Sequence, residues 1–153
     1  MKISIYLFCL FISTILLTIT ACRNIEDDNI ELVKIYYEAL NTKNNSLCDS
    51  IVTVNFKKSS NGNPENGTGS EVLKNAIKYH SKNNSEYKYT VEDIFASENR
   101  VGVRWRWNSI NIKTGEPKPI NITAMSVFEI EDGKISRLWQ AFDIGDFQKQ
   151  LEK

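Results

Sequence analysis

Apolar positions return every three or four residues at Ile30, Val33, Tyr37 and Leu40. That period predicts a helix over 29–43 with one buried stripe. The acidic trio Glu26-Asp27-Asp28 precedes it, where negative charge suits the positive end of a helix dipole. The pattern breaks at 41–46, and 47–51 predicts a second short helical piece. Val52-Thr53-Val54-Asn55-Phe56 alternates and predicts a strand, while the turn formers of 59–69 predict a loop. Thr68-Gly69-Ser70-Glu71 fits a capping box, so a helix is expected from there to about Asn83. Leu73, Ala76, Ile77 and His80 share one face of it.

Beyond Ser85 the period changes to two. Tyr87, Tyr89 and Val91 alternate with polar residues. Val101, Val103, Trp105 and Trp107 do the same, as do Ile120, Ile122, Ala124, Ser126, Phe128 and Ile130. Asp132-Gly133 predicts a tight turn with positive φ, followed by a last strand over 135–142 and a short helix over 143–151. Helices first and an antiparallel meander afterwards define an α+β plan.

The first 21 residues follow a different rule. Lys2 is their one charge, an apolar run fills the middle, and Ile19-Thr20-Ala21-Cys22 closes them. That layout reads as a secretory signal ending at a lipid-modified cysteine. The alternative, an uncleaved membrane helix, would be only just long enough to span a bilayer. The organisation is therefore a signal peptide at 1–21, a lipidated tether at 22–28 and one domain at 29–153. Cys22 as the lipidation site implies a membrane partner and a lipid-anchored place in the bacterial cell envelope. Arg23 after the cysteine favours an outer membrane, with the domain facing the periplasm or the cell surface.

Charge and cysteines narrow the function classes. Removing 1–21 leaves 18 basic and 19 acidic residues, net −1, so no basic field exists for nucleic acid. Cys9 falls in the signal and Cys22 takes lipid, which leaves Cys48 without a partner for a disulfide. Beside Leu47 and Ile51 it reads as a small buried hydrophobe. One histidine and scattered carboxylates make no metal site, and no phosphate loop or nucleophile elbow is present. No cofactor is called for.

The element order resembles the nuclear transport factor 2-like superfamily and, within it, the SnoaL-like group. The residues that carry the resemblance are Val33 to Asn41, the helix entry from Gly69 to Ala76, and Phe128-Glu129-Ile130-Glu131-Asp132-Gly133-Lys134-Ile135 followed by Trp139 and Asp143. The resemblance covers roughly 29–151 and implies a cone, in which N-terminal helices pack in a strongly bent antiparallel or mixed sheet around an apolar pocket. Members of that superfamily include cyclases, isomerases, dehydratases, epoxide hydrolases, binders and dimerisation modules, so the fold does not choose the function. SnoaL-like cyclases place His-Trp-Asp near the last strand, with the Asp as base. Here the run is Leu138-Trp139-Gln140, and an amide cannot accept that proton.

The candidate catalytic groups are His80 and Asp143, each set against a plain role as a packed histidine and a helix cap. Tyr37, His80, Trp105, Trp107 and Gln140 are the candidate pocket residues. Trp105 and Trp107 share one strand face, with Arg104 and Arg106 on the other, and parity does not say which face is inside. The tryptophans fit ordinary core packing, a ligand pocket or a homodimer face. The leading expectation is a membrane-anchored domain that binds a small apolar ligand or a protein partner without catalysis. The alternative is a cofactor-independent lyase, isomerase or hydrolase using proton transfer in the cone cavity.

Overall fold

The computed structural model describes residues 25–113 and 115–152. The expected signal and the Cys22 lipidation site lie outside the described residues. No helix among those described is long and apolar enough to cross a membrane.

Helix α1 runs Ile25–Thr42. It begins four residues ahead of the expected start because the acidic trio occupies its first turn and stabilises it there. Residues 25–28 of the expected tether are therefore helical. Helix α2 (Asn45–Ile51) is capped by Asn44, whose side chain accepts from the Ser46 and Leu47 amides. Strand β1 (Val52–Ser60) extends four residues past Phe56 into the predicted loop, and β2 (Asn63–Pro64) folds back on it. Helix α3 (Ser70–Asn83) leads straight into β3 (Asn84–Ser97), which pairs with β4 (Arg100–Asn111). Strands β5 (Lys118–Glu131) and β6 (Lys134–Phe142) and helix α4 (Ile144–Glu152) complete the chain.

The predicted capping box at Thr68–Glu71 does not form. Gly69 is the N-cap, with no side-chain cap bond. Its amide donates to the Phe56 carbonyl at 2.9 Å. A Cβ there would stand 2.8 Å from the Val54 carbonyl oxygen, and its φ of +62° is left-handed. Contact with β1 therefore selects glycine at the position where the local motif needs a hydroxyl or carboxylate. The Ser70 hydroxyl turns away to donate to Asp49 at 2.6 Å.

The sheet order is β2-β1-β6-β5-β4-β3, with β1 parallel to β6 and every other pair antiparallel. Register shifts interrupt the β1–β6, β3–β4 and β5–β6 pairs, and such irregularities bend strands. The N-terminal helices pack on this curved mixed sheet, which is the α+β cone expected from the sequence. Asp132 and Gly133 both adopt the positive φ predicted for the β5–β6 turn.

The inner face buries Val101, Val103, Trp105 and Trp107 of β4 with Ile122 and Phe128 of β5, against Val33, Tyr36, Tyr37 and Leu40 of α1. This resolves the parity question: the tryptophans point inward. Arg104 and Arg106 lie outside, both bonded to Glu92 at 2.8 and 2.6 Å. On the same outer face Phe95, Gly102, Val127 and Trp139 stand in one cross-strand register. The Phe95 ring covers Gly102, leaving no room for a side chain there. Cys48 is buried, with its thiol directed to the Asn44 carbonyl, consistent with the apolar role read from its neighbours.

Candidate functional site

Where the inner face is not covered by α1, the fold leaves a cavity of about 630 Å³. Small-molecule sites commonly measure about 300–1,000 Å³ and are mostly apolar with a few placed polar groups. Trp105, Trp107, Ile122, Phe142, Phe147 and Val72 supply the apolar wall. Asn66, Asn75, Asn84 and Asn111 add polar positions, and two polar clusters stand beside them.

The first cluster centres on His80, near the end of α3. Tyr89 of β3 is pinned by Asn41, whose side chain bonds its amide at 2.7 Å and its carbonyl at 2.8 Å. That clamp between α1 and β3 fixes the Tyr89 hydroxyl 3.1 Å from His80 Nε2. The Trp107 ring packs 5.3 Å from the imidazole, centre to centre. Burial, aided by the Lys58 charge, lowers His80 to about 4. It is therefore neutral at physiological pH. A neutral ring accepts the Tyr89 phenol proton at Nε2 when its own proton sits on Nδ1. His80 Nδ1 and Trp107 Nε1 are buried and have no hydrogen-bond partner among the described residues. Burial also pushes the Tyr89 phenol far above its ordinary range, so it stays a neutral donor.

The second cluster joins β1, the loop before α3, and β6. Lys58 Nζ lies 3.0 Å from Glu65 Oε1. The Ser60 hydroxyl donates to that same oxygen at 2.6 Å and accepts from Gln140 Nε2 at 2.8 Å. The Lys58 side chain is only 9% exposed, so its ammonium is largely withdrawn from water and Glu65 is its balancing charge.

The candidates read from the sequence therefore divide. His80, Trp105, Trp107 and Gln140 come together on the cavity wall. Tyr37 lies just beneath it, packed between Trp105 and Phe128 at 6.3 and 6.0 Å. Trp105 Nε1 is bonded internally to Ser126 at 2.8 Å. Asp143 is not brought to His80. It is exposed at the start of α4, where its carboxylate accepts the Asp146 amide at 2.9 Å and its carbonyl accepts the Phe147 amide at 3.1 Å. That is the cap role, and it orients Phe147 onto the cavity. Gln140 gives one of its two amide N–H groups to Ser60.

Lys58, Ser60, Glu65 and Tyr89 also line the site, and no candidate named them. The alternation of β1, carried on from Phe56, turns Lys58 and Ser60 toward the interior; Tyr89 follows its own strand's alternation. Glu65 had no periodic signal, since it sits among turn formers. Among the described residues no group of three or more His, Cys, Asp or Glu is arranged to hold a metal ion.

Comparison with known proteins places this geometry. The SnoaL-like polyketide cyclase family matches residues 30–151, and the chain belongs to that family. Among solved structures it is similar to an M. tuberculosis LEH-like epoxide hydrolase, with TM-score 0.69 and 18% identity over 83% of this chain and 91% of that one. It also resembles a protein from Bacillus cereus assigned as a polyketide cyclase, with TM-score 0.69 and 23% identity over 82% and 80%. A third similar structure, assigned as a SnoaL-like polyketide cyclase from Shewanella denitrificans, gives TM-score 0.72 and 11% identity over 81% and 96%. A search of curated proteins matches nothing. At these identities the structural likeness defines the fold, which hosts several chemistries.

Proposed function

We propose that the cone cavity binds a small, largely apolar molecule against the Trp105–Trp107 wall. The observation that carries this reading is the cavity itself: about 630 Å³ walled by aromatic rings that the surrounding side chains do not fill. A concave site of that size, mostly apolar with a few placed polar groups, is the usual form of a small-molecule site. Acetophenone, a small neutral aromatic ketone, is a suitable probe because its binding beside two indoles changes tryptophan emission. Saturable quenching is expected for the full chain. Ala76→Phe projects a ring from α3 into the cavity and is expected to weaken binding at least about tenfold, or ~1.4 kcal/mol. Equal affinity in both proteins would remove the cavity as the binding site.

The proposal places this domain on a membrane through Cys22. Support comes from the apolar leader and its Ile19-Thr20-Ala21-Cys22 ending. In bacterial cells Cys22→Ser is expected to move the protein out of the membrane fraction and to abolish incorporation of a clickable fatty-acid analogue. Unchanged labelling in that variant would rule out the anchor.

A further inference from the structure

Among the described residues, Lys58 is the one lysine or arginine that lines the cavity. Its side chain is only 9% exposed and shares the wall with indole and phenyl rings, so its charge needs an anion beside it. Glu65 supplies that anion at 3.0 Å. The glutamate comes from a segment that otherwise faces water: residues 62–64 and 66–68 are exposed, and Glu65 between them turns in. Its side chain keeps 31% of its exposure. Its main chain is fixed separately, since the Glu65 amide donates to the Lys58 carbonyl at 2.8 Å. Rotation of the side chain alone therefore carries the carboxylate out into water while the backbone stays in place.

What stays behind is a set of donors on two paired strands. Lys58 Nζ has three N–H groups. The Ser60 hydroxyl, which donates to Glu65 Oε1 at 2.6 Å, is held by Gln140 Nε2 at 2.8 Å. This set already holds a carboxylate, so a second carboxylate satisfies it atom for atom. A neutral ligand leaves the ion pair as it stands. A dianion such as a phosphate monoester brings one more negative charge than Lys58 balances.

We propose that the ligand of the cone cavity is a small amphipathic monocarboxylic acid. Its carboxylate takes the place of Glu65 on Lys58 and Ser60, and its apolar body lies against Trp105 and Trp107. This rests on the cavity reading above and names the ligand class. Glu65 is then an internal competitor that keeps Lys58 paired until the acid arrives. The exchange makes and breaks no covalent bond, and Lys58 faces one negative charge before and after it. The affinity of the acid is what its own contacts contribute less the cost of displacing Glu65. Removing the Glu65 charge should therefore tighten binding, the opposite of what loss of an ordinary contact residue does.

The probes are 4-phenylbutyrate, ionised at neutral pH, and 4-phenylbutanamide, which has nearly the same shape and no charge. Calorimetry on the full chain gives the ratio of their affinities, in which general changes to the cavity cancel. The acid is expected to bind more tightly than the amide in the unaltered protein. Glu65→Gln is expected to raise the acid-to-amide ratio by about tenfold, the scale of one hydrogen bond to a charged group. The double variant Lys58→Met, Glu65→Gln removes both charges together, so neither is left buried and unpaired. In it the acid should lose its advantage over the amide. Acetophenone quenching reports in each variant whether fold and cavity persist.

A ratio unchanged or lowered in Glu65→Gln, with acetophenone still bound, would overturn the acid and leave the cavity reading standing. An advantage for the acid that survives in the double variant would overturn it too. Failure of the unaltered chain to bind acetophenone would remove both readings together.

Discussion

Replacing Phe128 with alanine is expected to destabilise the protein by about 3–5 kcal/mol, the range for truncating a fully buried phenylalanine. Phe128 is 0% exposed and sits on the inner face of β5. Its ring meets Tyr36 edge-on at 5.1 Å and Tyr37 at 6.0 Å, so it couples α1 to the sheet. Two costs add: the lost transfer of the ring out of water, and the void left between elements that cannot collapse freely. The loss of edge-to-face aromatic geometry adds roughly 0.5–1.5 kcal/mol per pair on general grounds, partly overlapping the first figure. Urea unfolding of the full chain, followed by far-ultraviolet circular dichroism, provides the check. With a slope of about 1–3 kcal/mol/M, the midpoint should fall by about 2 M. A fall below about 0.5 M would show that Phe128 does not join α1 to the sheet as described.

The same ring shows how far the cavity depends on the core beneath it. Tyr37 lies between Phe128 and Trp105, and Trp105 is held by its bond to Ser126. Loss of Phe128 loosens the floor on which the tryptophan wall rests. Binding of acetophenone should therefore weaken in Phe128→Ala even under conditions where the variant is folded.

Periodicity revealed most of this architecture and little of its chemistry, for a physical reason. The burial of alternate residues along β4 and β5 is a local property, so Val101 to Trp107 and Ile120 to Ile130 announce their strands in the sequence. Which of two faces turns inward is not local. It is decided by α1, whose Tyr37 packs on Trp105, and by β3, whose Tyr89 does the same at 5.3 Å. Local chemistry is also overruled where the chain closes on itself. The Thr68–Glu71 motif loses to the contact between Gly69 and β1, whereas the Asp143 cap, with no such competitor, stands. Gln140 carried half of a signal. Its amide could be seen to replace a carboxylate at a position where the resemblance expects one. That it reaches Glu65 through Ser60, 80 residues earlier, required the β1–β6 pairing to be known. Glu65 itself lies among glycines, asparagines and a proline, where composition predicts only turns.

Lowering the pH from 6.5 to 4 is expected to reduce stability by about 3 kcal/mol through His80 alone. Burial, with a smaller contribution from the Lys58 charge, lowers its pKa from 6.5 in the unfolded chain to about 4 in the folded one. Between those values the unfolded state binds a proton that the folded state refuses, so each unit of falling pH costs up to about 1.4 kcal/mol. The full stability is present above pH 6.5, and the loss levels off once pH falls below about 4. Glu65 opposes the shift only weakly, because Lys58 offsets its charge. Ordinary carboxylates take up protons near the lower end of this window, so the measurement is a difference. Urea midpoints of the unaltered chain and of His80→Gln, which can still bond the Tyr89 hydroxyl but does not titrate, should diverge as pH falls. The chain has one histidine, so a single imidazole proton resonance follows the same event directly. Its midpoint should lie near 4. A midpoint near 6.5 would mean that the ring is not desolvated as its packing against Trp107 and Tyr89 implies.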